Sequence, residues 1–121
     1  DKDSILKTLD RPLPVCADES CHDTLDLERL KGLYEFVNIK LDKTGGLTEA
    51  LYLQSQAEKM GFRTMVGCMS STSLGIAPAF LIAQRAEIVD LDAPLYLHKD
   101  RAWPIKYRES EVFPPAAELW G

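Results

Sequence analysis

The chain has 121 residues, 45% of them hydrophobic and 27% charged, and a net charge of −5. That length fits one domain, and that composition belongs to folded chains rather than disordered ones. The acidic balance speaks against a nucleic-acid or polybasic membrane role, and no apolar run approaches the ~18 residues of a membrane span.

Residues 2–9 predict a short helix with Ile5, Leu6 and Leu9 on one side. Residues 14–18 predict a short strand, cut off by the polar run Asp18-Glu19-Ser20. Residues 23–33 place Leu27, Leu30 and Leu33 at helical intervals behind a cap at Asp23 or Thr24. Residues 35–41, β-branched and aromatic, predict a second strand. After Gly45-Gly46, residues 47–61 predict a helix closed by Gly61. Residues 62–69 predict a third strand, 73–85 a helix with Pro78 in its first turns, and 87–97 a fourth strand. Residues 99–121, with Pro104, Pro114 and Pro115, predict an irregular tail. The alternation of helix and strand indicates parallel βαβ units in an α/β fold. Four such units make half of an eight-stranded barrel or a small open sheet.

The N-terminus shows no secretory signal pattern, and the three cysteines, Cys16, Cys21 and Cys68, suit a reducing cytoplasm better than a disulfide framework. The chain opens at Asp1 rather than Met, so its start is expected to lie upstream.

The ionisable residues gather at the C-terminal ends of the predicted strands: Asp18-Glu19, Lys40, and Asp90 with Asp92. Barrels and doubly wound sheets place their chemistry there. Side chains alternate along a strand, so Asn38 and Lys40 share one face while Val37, Ile39 and Leu41 take the helix-covered face. By the same rule Asp90 and Asp92 share a face. The glycine pair is expected to turn the strand into the next helix and to leave space over Lys40. Each residue also has a plain structural reading. A lysine at a strand end is often just leaving for solvent, and aspartates are common at turns. Cys16, Cys21 and His22 fit no structural zinc spacing and have no fourth ligand. Cys68 lacks an evident base, since His22 and His98 are the only histidines. Lys99, Arg101 and Lys106 read as surface charge. What joins the three rim positions is their equivalence in successive units.

"PVCADES", "VNIKLDKTGG", "MVGCMSSTSLGIAPAFLIA", "DLDAPLYL" and the closing "LWG", in this order, resemble the C-terminal half of a dipeptide epimerase. These enzymes belong to the muconate-lactonizing branch of the enolase superfamily. The resemblance covers nearly the whole chain. It implies a C-terminal half of a (β/α)8 barrel over residues 1–98, followed by the tail. It implies that Asp18 is the third carboxylate ligand of a Mg²⁺ ion, with Glu19 beside it, and that Lys40 is the acid/base lysine. It implies that Asp90 and Asp92 hold the substrate's α-ammonium, and that Cys68, Met69 and Ser70 line the substrate pocket. Lys43 would be auxiliary at most. The implied reaction removes and returns the α-proton of an amino-acid residue in a dipeptide through a metal-stabilised enediolate.

The other two metal ligands, the second base and the capping domain of such enzymes have no counterpart in the sequence. The chain is therefore expected to be a fragment of a longer polypeptide, a half-barrel completed by a partner or by another copy, or an inactive remnant. Two alternatives remain: another enzyme of the branch (a muconate cycloisomerase, an o-succinylbenzoate synthase or an N-acylamino-acid racemase) and a non-catalytic half-barrel assembly unit. The Asp-x-Asp pair favours the dipeptide substrate over the first, since those substrates bring no free ammonium to that end.

Overall fold

The computed structural model describes residues 2–121. Four parallel strands form one sheet in sequence order: β1 (Cys16–Ala17), β2 (Phe36–Ile39), β3 (Arg63–Val66) and β4 (Ile88–Val89). The helices on one face are α1 (Leu27–Leu30), α3 (Leu47–Lys59), and the pair α4 (Ser73–Ile76) and α5 (Ala79–Ala83). This is the C-terminal half of a (β/α)8 barrel, as expected.

The helix-covered face holds the core. Val37, Ile39 and Val66 are fully buried there, against Leu27, Leu30, Leu53 and Ile82. In α3 the residues Ala50, Leu53, Gln54 and Ala57 recur at helical spacing and all have 0% exposure. Each large aliphatic side chain buried this way contributes about 1.5–3 kcal/mol. Gln54 ties two layers together, donating from Nε2 to the Ile82 carbonyl of α5 at 2.9 Å. Gly61, at φ 88°, closes α3: its N–H reaches the Glu58 carbonyl and the Phe62 N–H reaches Ala57. That is a Schellman cap, which needs the left-handed backbone that glycine tolerates.

Several elements depart from the periodicity. The N-terminal stretch is a 3₁₀ helix, Lys2–Lys7, whose Ile5 is exposed, as is Leu9 beyond it. Each strand is shorter than predicted. Asp23 does cap its helix, accepting from Leu25 N, but the first turn (Thr24–Asp26) is 3₁₀. Pro78 does not sit inside one long helix; it splits the segment into α4 and α5. Leu41 does not extend β2. It starts a single helical turn, α2 (Leu41–Thr44).

The glycine pair therefore does something other than expected. Gly45 (φ 76°) ends α2 and Gly46 (φ 135°) starts α3, so the two residues join helix to helix. A Cβ at either would meet nothing within 4 Å, so their need is backbone conformation, not space above Lys40. The fourth predicted strand stops at Val89. Asp90 and Asp92 lie on the loop beyond it, and Ala93–Tyr96 is a 3₁₀ turn with Pro94 in its first positions. Residues 99–121 are not wholly irregular: β5 (Tyr107–Arg108) and β6 (Glu111–Val112) form an antiparallel hairpin, and α6 (Ala117–Trp120) follows. This tail is tied to the barrel unit by Tyr107, whose hydroxyl donates to the Leu91 carbonyl at 2.7 Å, and by Asp100.

Candidate active site at the C-terminal rim

β1 and β2 are paired in register, Cys16 with Phe36 and Ala17 with Val37. The same register puts Asp18 opposite Asn38, and Lys40, two residues beyond Asn38, brings its side chain back to Asp18 on the face away from the helices. Lys40 is buried at 8% exposure, and Asn38 below it at 4%. Lys40 Nζ lies 2.9 Å from Asp18 Oδ1, 3.1 Å from Oδ2, and 3.5 Å from Glu19 Oε1. Burial alone pulls the Lys40 ammonium down, but Asp18 and Glu19 outweigh it and hold its pKa above that of an ordinary lysine. Burial likewise pushes the Asp18 carboxyl up, and hydrogen bonds from Lys40 and Lys43 reverse this and leave it below the usual range. The two groups thus favour each other's charged forms, Asp18 as carboxylate and Lys40 as ammonium.

Lys43 is the residue that sequence reasoning underrated. α2 carries it one helical turn past Lys40, and its side chain is 5% exposed. Its ammonium donates to the Asp18 backbone carbonyl and lies 3.1 Å from Oδ1. The available signal was the Lys-x-x-Lys spacing, which puts two ammoniums on one face only if the strand turns helical after Lys40.

Asn38 is held against Gly67, which follows β3. A Cβ at Gly67 would meet the Asn38 amide at 2.7 Å, so this close approach requires glycine. Asn38 Oδ1 is buried with no hydrogen-bond partner among the described residues.

The second group of rim residues stands on loops rather than strands. Cys68, Met69 and Ser70 follow β3, and together with Asp92 and Tyr96 they line a cavity of about 380 Å³. Cys68 Sγ donates to the Asp90 carbonyl at 3.4 Å, and burial pushes its thiol pKa up, which disfavours a nucleophilic thiolate. The Asp90 and Asp92 carboxyl groups adjoin. Burial first, then the Asp92 charge, raises Asp90, while Lys40 pulls it back. Tyr96 was not singled out from the sequence; its hydroxyl donates to Asp92 Oδ2 at 3.2 Å. The structure thus gathers Asp18, Glu19 and Lys40 into one cluster and Asp92 with the 68–70 loop into a second, with Asp90 between them in charge terms.

A Mg²⁺ site needs about six oxygens, several supplied by carboxylates and waters. Asp18 is a half-exposed carboxylate at the rim and fits as one ligand. Among the described residues no group of three or more His, Cys, Asp or Glu is placed to hold a metal. The remaining ligands are not supplied by these residues.

The fold is a half-barrel with ionisable groups clustered at its C-terminal rim, and its kinship is specific. The profile of the Enolase C-terminal domain-like family matches residues 1–117, and the chain belongs to that family. It is 52% identical over 120 residues to an N-acetyl-D-glutamate racemase of Pseudoalteromonas sp, covering 99% of the chain and 38% of that protein. It is 47% identical over 110 residues to the L-Ala-D/L-Glu epimerase of Escherichia coli K12, covering 91% of the chain and 34% of that protein. It also superposes, at TM-score 0.95 and 53% identity, on a solved enolase family member from Agrobacterium tumefaciens with homology to dipeptide epimerases, which holds sodium and L-Ala-L-Glu; the match covers 99% of the chain and 37% of that one. Other structural neighbours are dipeptide epimerases solved with Mg and a dipeptide. The chain spans about a third of the length of these relatives. No described helix is long and apolar enough to cross a membrane.

Proposed function

We propose that the chain supplies the C-terminal half of the active site of a dipeptide epimerase, with Lys40 as one of its two proton-transfer groups. The observation that carries the reading is the Lys40 side chain. It is buried on the barrel-facing side of the sheet and in contact with Asp18, the carboxylate that the family resemblance implies as a metal ligand. Neutral Lys40 would accept the substrate's α-proton at Nζ as the C–H bond breaks; a base on the opposite face, from outside this chain, would return a proton with inverted configuration. A divalent cation on Asp18, Mg²⁺ by kinship, would take up the charge that holds Lys40 protonated and stabilise negative charge on the substrate carboxylate. Lys43 would fix Asp18 from behind, and Glu19 would stand beside it. Asp90 and Asp92 would receive the dipeptide's ammonium, and Cys68, Met69 and Ser70 would wall the pocket for the rest of the substrate. The free cysteines agree with a cytoplasmic setting.

A second reading is favoured by a specific observation, the 52% identity to an N-acetyl-D-glutamate racemase. Both readings share Lys40 and Asp18 and differ at the nitrogen, which is charged in a dipeptide and acylated in the alternative. The Asp90–Asp92 pair supports the first, because two adjoining carboxylates are arranged to receive positive charge.

The test of the shared core is Lys40→Ala in the full-length protein, with exchange of the substrate α-proton followed in D₂O. Exchange from one face should fall by about 10²–10⁴-fold, the usual worth of a positioned acid/base group. Exchange at the wild-type rate from both faces would remove Lys40 from the mechanism.

A further inference from the structure

We propose that Tyr96 is a positioning residue for Asp92, and that through this contact it sets how strongly the site prefers a free ammonium over an acylated nitrogen. The proposal rests on the dipeptide reading above.

Asp92 stands at the N-cap position of the 3₁₀ turn that Tyr96 completes, with no side-chain capping bond, and the two are four residues apart. The turn is rigid. Pro94 restricts its first positions, and the N–H groups of Leu95 and Leu97 bond back to Asp92 and Pro94 at 2.9 and 3.2 Å. The turn brings the phenol back toward Asp92, and its hydroxyl donates to Oδ2 at 3.2 Å. Asp92 also adjoins Asp90, whose like charge repels it. A short side chain between a donor and a repelling carboxylate has its rotamer decided by the donor. With Tyr96 in place, Asp92 stays at the cavity wall beside Cys68, Met69 and Ser70.

Tyr96 borders the same cavity as Asp92, and the hydrogen bond to Asp92 is the polar contact its hydroxyl makes there. If the O–H were lost, Asp92 would be free to turn away, and a cationic guest would lose a charged hydrogen bond part of the time. An acylated nitrogen carries no charge and would lose little.

The experiment uses the full-length protein with two substrates, L-Ala-L-Glu and N-acetyl-L-glutamate, and three variants: Tyr96→Phe, Asp92→Asn and the double variant. Tyr96→Phe should raise KM for the dipeptide about three- to tenfold with kcat little changed, and leave KM for N-acetylglutamate within about twofold. In the Asp92→Asn background the same change should add nothing, since the phenol acts through that carboxylate. Equal losses for the two substrates, no loss for the dipeptide, or additive effects in the double variant would overturn the role of Tyr96. If the wild type turns over dipeptide and Asp92→Asn is selectively impaired while Tyr96→Phe is not, the dipeptide reading stands and only the positioning claim falls. If the wild type racemises N-acetylglutamate and no dipeptide, both fall.

Discussion

A lysine side chain at 5% exposure needs partners for its ammonium, and Lys43 finds two on a single residue, the carbonyl and the carboxylate of Asp18. It thereby holds the backbone and the side chain of Asp18 at once, while Lys40 holds the side chain alone. Lys43→Met keeps the apolar stem and removes the donors. It should destabilise the full-length protein by about 2 kcal/mol, the usual cost of leaving a part-buried acceptor without its partner, as read from the urea midpoint. An unchanged midpoint would reduce Lys43 to a bystander. Asp18 and Lys40 were legible in the sequence because each falls just past a run of apolar strand residues, where charge is out of place in a core. Lys43 and Tyr96 were not. Each acts through a helical turn that begins at a residue predicted to be strand, and the choice between those backbones is made by tertiary packing rather than by local preference.

The tail illustrates how one element is fixed by another. Asp100 accepts from Ser73 N at 2.9 Å and from the Ser73 hydroxyl, so it caps α4 from outside that helix, and Ser73 Oγ in turn accepts from Ile105 N at 2.9 Å. Burial pushes the Asp100 carboxyl up, but these donors outweigh it and leave its pKa below the ordinary 3.8. Its folded-state value is thus depressed, so its contribution is present above pH 3.8 and is lost as pH falls through the lower folded value. Asp100→Ala should cost about 1 kcal/mol at pH 7, as for other lost helix caps, and the gap to wild type should narrow as pH falls below 3.8 in parallel urea titrations. A gap independent of pH would mean that the lost carboxylate was not the cause. The number, order and direction of the four main strands could be read from the alternation of periods. The split at Pro78, the helical turn before Gly45 and the hairpin of two-residue strands could not. Each is shorter than the window over which a period becomes visible.

At the scale of the whole chain, the exposed area is 7525 Å², against roughly 6,600 Å² for a compact monomer of this mass. Part of the excess lies where β4 ends the sheet, with Ile88 and Val89 45% and 42% exposed. β1 and β4 each carry an unpaired edge, and such edges recruit further strands. The 121 residues alone should therefore self-associate, seen as a concentration-dependent sedimentation coefficient; a compact monomer across the concentration range would show that the half-barrel is self-sufficient. The register also bears on the order of assembly. Twenty residues separate Cys16 from its partner Phe36, 27 separate Phe36 from Arg63, and 23 separate Met65 from Ile88. The entropy of closing a loop grows only with the logarithm of its length, so these three crossovers differ by about 0.3 kcal/mol. Connection length then gives no unit a head start. The β2–β3 ladder, with four registered pairs against two on either side, is left as the nucleus to which the outer strands are added.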